Sequence, residues 1–121
     1  TSARKNEILN QLYINAFEFF KKNSSRKDKK NQEIKEACIL LKDPQNFSSP
    51  SQIKKYSLLF AQPLENINLK ILEKILLVLE EVIMNNLVDN DILYEMIEII
   101  LQYLSKFSNL NDDYINIRIL N

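Results

Sequence analysis

The chain of 121 residues contains no glycine. Glycine alone reaches positive φ without steric cost, and tight hairpins, bulges and phosphate-cradling loops lean on it. Sheets built from such turns are therefore a poor fit, whereas helices can be joined through Asn, Asp, Ser and Pro. The expected fold class is all-α.

Periodicity supports this and divides the chain. A first helix is expected over Ser2–Asn23, where Ile8, Leu9, Leu12, Ala16, Phe19 and Phe20 recur three and four apart and Tyr13 and Phe17 widen the stripe. Residues 23–30, NSSRKDKK, are polar throughout and are expected to form a mobile loop. A shorter helix follows over Asn31–Lys42, burying Ile34, Ala37, Cys38 and Leu41, and Asp43-Pro44 ends it because proline pushes the preceding residue out of the α region. Gln45–Ser49 reads as a loop, and Ser49-Pro50 as the cap and first turn of a third helix over Pro50–Ala61, burying Ile53, Tyr56, Leu59 and Phe60.

After the stop at Pro63, Asn68 is placed to cap the most apolar segment, Asn68–Asn86. Its apolar residues cover far more than one stripe, so it is expected at the centre of the assembly, contacted from two sides. A fifth helix over Asn90–Phe107 carries a narrow polar stripe of Asp91, Glu95, Glu98, Gln102 and Ser105 and is otherwise apolar. With the preceding helix it forms an expected core helical hairpin, 68–107. The end, 111–121, favours a helix over the strand that alternation in Tyr114–Ile119 suggests, and stops short of a terminus of its own.

Five to six antiparallel helices result, arranged as a closed bundle or as a stacked-hairpin segment in which each unit covers its neighbour. Helix starts near 50, 68 and 90 are spaced in a way that resembles HEAT- or armadillo-type arrays, an architectural likeness without a repeat consensus. The whole, 1–121, is expected to be a single helical domain or a segment of a larger protein.

Composition narrows the function classes. With no histidine there is no Ser–His or Cys–His pair and no His-bearing zinc or di-iron site, and with no glycine there is no P-loop or dinucleotide fingerprint. No catalytic residue, cofactor or metal is expected. The one cysteine, Cys38, lies in an apolar run and reads as a small buried hydrophobe; a lone thiol fits an intracellular setting. Unbroken apolar runs such as Ile75–Leu79 are too short to span a membrane.

Net charge is zero but divided: residues 1–60 hold twelve Lys/Arg against six Asp/Glu, net +6, and residues 61–121 hold four against ten, net −6. Its sharpest feature is the run Lys21, Lys22, Arg26, Lys27, Lys29 and Lys30, broken only by Asp28. Such a run can contact phosphates of nucleic acid or an anionic membrane, although it lacks the interleaved aromatics of a single-strand platform. Two N-x-S/T sequons, Asn23-Ser24-Ser25 and Asn46-Phe47-Ser48, fall in expected loops. Were the tail a strand, helices followed by a strand would resemble the helical part of adhesion-receptor GAIN-type modules, which implies an extracellular setting.

The leading expectation is a non-catalytic interaction or scaffold module whose partners are proteins or neighbouring segments of the parent chain. The alternative is an adaptor binding nucleic acid or anionic lipid through 21–30, and the third is the helical part of an extracellular domain.

Overall fold

The computed structural model describes residues 2–110, so the expected element over 111–121 lies outside the described residues. The described chain is all-helical: α1 (Ser2–Lys22), α2 (Asn31–Leu40), a 3-10 turn (Pro44–Phe47), α3 (Pro50–Ala61), α4 (Leu69–Met84) and α5 (Asn90–Leu110). The boundaries follow from local chemistry. Ser49 and Gln52 form a reciprocal capping box: the Ser49 Oγ accepts from the Gln52 N–H at 3.2 Å and the Gln52 Oε1 from the Ser49 N–H at 3.0 Å. At α4 the Asn68 Oδ1 accepts from the Ile71 N–H at 3.0 Å.

The end of α4 shows how a chain without glycine turns. Asn86 adopts φ 51°. The Leu87 N–H returns to the Val82 carbonyl at 3.0 Å and the Asn86 N–H to that of Ile83 at 3.2 Å, the Schellman arrangement, with Leu87 and Val82 both buried. Asn is the side chain that best tolerates this left-handed position after glycine.

The helices alternate in direction. One end of the bundle gathers the end of α1, the start of α2, the segment 62–68 and the last turns of α5. There Asn68 Nδ2 donates to the Asn23 carbonyl at 3.0 Å, and the Tyr103 hydroxyl both accepts from the Ile67 N–H (2.7 Å) and donates to the Ile67 carbonyl (2.8 Å). The other end brings together the start of α1, the 3-10 turn, the start of α3 and the turn 86–90.

The centre belongs to α1, which corrects the expectation for the segment 68–86. α1 packs against α2, α3, α4 and the 3-10 turn, whereas α5 packs mainly against α3. Leu9, Tyr13, Ala16, Phe17 and Phe20 of α1 are fully buried. The Tyr13 ring stacks on Phe60 at 5.0 Å between centroids and meets Phe47 edge-on at 5.8 Å, and Phe20 lies 6.0 Å from Phe60. Rings reach further than aliphatic chains and bury more area per residue, so the aromatic helix takes the middle. α4 buries one face, Ile71, Leu72, Ile75, Val78, Leu79 and Val82, and leaves Leu69, Leu76, Leu77, Ile83 and Met84 exposed.

Two loops are more ordered than their sequences predict. The expected loop 45–49 is largely the 3-10 turn, started by Asp43 Oδ1 accepting from the Gln45 N–H at 3.0 Å and anchored by Phe47 in the core. Residues 23–30 are pinned: the Asp28 carboxylate is buried and accepts from the backbone N–H groups of Lys30 (2.9 Å), Glu65 (3.1 Å) and Asn66 (2.9 Å).

Candidate partner groove and basic loop

The antiparallel pair α1 and α4 leaves a groove along its outer side. On α4, Lys74, Leu77, Val78, Glu81 and Met84 recur three and four apart and therefore share one side of the helix. Leu12 and Asn15 of α1 form the opposing wall, and the hollow measures about 630 Å³. Val78 is buried and Leu12 half-buried, giving the floor, while Leu77 and Met84 stand 63% and 75% exposed along the rim. Ile8, one turn before Leu12 on the same side of α1, is 40% exposed. At the other end the Lys74 ammonium sits over the Phe19 ring, 5.5 Å from its centroid, a cation–π contact that covers the half-buried ring.

The electrostatics of the groove are uneven. Glu80 and Glu81 line its Met84 end, and among the described residues neither is in an ion pair. The last turn of α4 has no basic residue, so the negative end of its dipole lies on the same side as these carboxylates.

The six basic positions of 21–30 are separated by the fold into two sets. Lys21 pairs with Glu18 at 3.1 Å, and that hydrogen bond holds the Glu18 carboxyl below its ordinary range. Lys30 Nζ donates to the Gln62 carbonyl at 3.0 Å. Lys22, Arg26, Lys27 and Lys29 are exposed and have no acidic partner among the described residues. Asp28, the only acid in the run, is turned inward. Burial pushes its pKa up, but the bonds from Asn66, Lys30 and Glu65 outweigh that and hold it below the usual carboxylate range. Its charge is thus spent on backbone amides, and the four outward cations keep theirs.

Sequence reasoning missed Asp28, which reads as a break in a basic run, and Tyr103, which reads as one more apolar position. In both cases the partner is a backbone amide more than 35 positions away, at separations of 37, 38 and 36 residues. Cys38 is buried as expected, and burial, followed by the nearby Glu18 charge, raises its thiol pKa. Asn23 and Asn46 of the sequons both use Nδ2 within the fold, donating to the carbonyls of Phe19 (2.9 Å) and Leu40 (2.8 Å). A hollow of about 460 Å³ between α1 and the 3-10 turn contains Asn10, whose Nδ2 donates to the Leu41 carbonyl at 3.1 Å while its enclosed Oδ1 has no partner among the described residues.

Among the described residues, fold and surface together define an all-α architecture that carries a groove with an apolar floor and rim between α1 and α4, and a cationic loop over 21–30. No helix among the described residues is long and apolar enough to cross a membrane. Comparison with models of known families, with curated proteins and with solved structures gives no match.

Proposed function

We propose that this protein is a non-catalytic helical interaction module, and that the groove between α1 and α4 receives an amphipathic helix from a partner protein or from a neighbouring segment of a parent chain. The exposure of Leu77 and Met84, two turns apart on a capped and well-packed helix, carries this reading. An apolar groove of this length matches the way amphipathic helices dock, with anchors three, four and seven residues apart entering a preformed cleft. The test is a panel of designed amphipathic helical peptides, identical in their leucine pattern and differing in charge, followed by chemical-shift mapping. Binding of any member that shifts Leu12, Leu77 and Met84 and is lost on Leu77→Asp supports the reading. No groove shifts with any member would overturn it.

A second reading rests on the loop. Four outward cations on a pinned backbone support contact with the phosphates of nucleic acid or of an anionic membrane. Converting Lys22, Arg26, Lys27 and Lys29 to Glu is expected to abolish binding to duplex DNA or to phosphatidylserine vesicles. For DNA, four phosphate contacts predict a log–log salt slope of about −3.6. No binding to either at low salt would end this reading.

A further inference from the structure

Assuming the groove is a partner site, as proposed above, its chemistry also selects the partner. We infer that the occupant is a cationic amphipathic helix of about three turns, lying with its Lys or Arg residues against the Met84 end of the groove.

Length sets the first limit. From Lys74 to Met84 the α4 wall runs roughly 15 Å, about three helical turns. Apolar contact sets the second: Leu12 and Val78 give a floor, and Leu77 and Met84 flank it. Met84 is unbranched and polarisable, so it adapts to whichever aliphatic chain enters.

Charge then decides between helices that satisfy both limits. Glu80 and Glu81 stand at the Met84 end without an ion pair among the described residues, and the last turn of α4 supplies no base. The carboxylates and the helix dipole act in the same sense, attracting cations and repelling acidic side chains. At the opposite end Lys74, the cation among the described residues that line the hollow, lies over Phe19, while Lys5 of α1 lines a separate hollow beside Asn86. The groove therefore has a polarity: its acidic end calls for bases, and its Lys74 end tolerates neutral or acidic side chains. This asymmetry fixes the direction of the docked helix as well as its charge.

The experiment uses the full chain with three peptides of about 14 residues sharing one leucine pattern, their solvent positions filled by Lys, Gln or Glu. Affinity is read by fluorescence anisotropy, location by chemical-shift mapping, and the mass of the free protein is measured alongside. The Lys peptide is expected to bind at least about tenfold more tightly than the Gln peptide and to be weakened by salt. The double variant Glu80→Gln/Glu81→Gln, at exposed positions, is expected to lose that preference while still binding the Gln peptide and unfolding as the parent does. Equal or reversed preference in the groove overturns the cationic occupant and leaves the interaction reading standing. Binding by no peptide, or shifts confined to other surfaces, overturns both. A dimer in the free protein that Leu77→Asp dissociates assigns the groove to a second copy and overturns the inference.

Discussion

The Tyr13 hydroxyl donates to the Ser57 Oγ across 2.7 Å, in a place from which both side chains exclude solvent. Met96 Sδ lies 4.0 Å from the same oxygen, so one polar atom ties α1 to α3 and touches α5. Burial drives the Tyr13 pKa well above that of an ordinary phenol, and the bond to Ser57 offsets only part of this. Burial thus favours the neutral hydroxyl, whose contacts join α1 to α3 and touch α5. Tyr13→Phe is expected to cost about 1–2 kcal/mol in urea unfolding, because Ser57 is left buried without its donor. Tyr13→Phe/Ser57→Ala should cost less than the sum of the single changes, and strict additivity would show that the bond contributes nothing.

Asp28 gives the protein an acid-sensitive anchor. Its pKa is lowered in the folded state, so its stabilisation is present above the ordinary carboxylate pKa of about 3.9 and is lost as pH falls through the lower folded value. Asp28→Asn should cost about 1–3 kcal/mol at pH 7. Denaturation curves of parent and variant should draw together as pH falls below the ordinary carboxylate pKa of about 3.9 and through the lower folded value. A difference constant from pH 7 to 2.5 would mean that the charge on Asp28 plays no part.

Asn86 tests the turn that closes α4. Asn86→Ala places an ordinary Cβ at positive φ and should destabilise by about 1 kcal/mol, whereas Asn86→Gly should be neutral or stabilise by up to about 1 kcal/mol. The pair, compared by thermal unfolding, separates backbone conformation from any contact of the Asn side chain. Equal loss in both variants would point to the side chain.

Core and groove should respond in opposite ways. Phe60 is fully buried against Tyr13 and Phe20, and Phe60→Ala should cost about 3–5 kcal/mol. Leu77→Asp and Met84→Asp, on exposed positions, should each cost about 1 kcal/mol or less. A large loss at Leu77 would mean that this side chain supports the fold itself, and the groove would lose its interest as a binding surface.

Helix boundaries and turns were legible in the sequence because each is settled within a few residues by backbone sterics and nearby hydrogen bonds. Ser49-Pro50 starts α3, Asn68 starts α4, Asp43-Pro44 ends the second helical stretch, and Asn85-Asn86 turns the chain, all where their chemistry places them. The lack of glycine and the three-four periodicity likewise determined an all-α fold. Neighbours and the rotation of each face were decided only in the tertiary structure. Apolar content marked 68–86 as central, yet the rings of Tyr13, Phe17 and Phe20 gave that place to α1 and left Leu77 and Met84 at the surface. The first stripe likewise turned to centre on Leu9, Tyr13, Ala16, Phe17 and Phe20, leaving Ile8 at the rim. Asp28 and Tyr103 acquired their roles from amides brought to them by folding. Local rules act along the chain, whereas packing depends on how side-chain volumes and unpaired polar groups fit across it, and only the assembled structure expresses that fit.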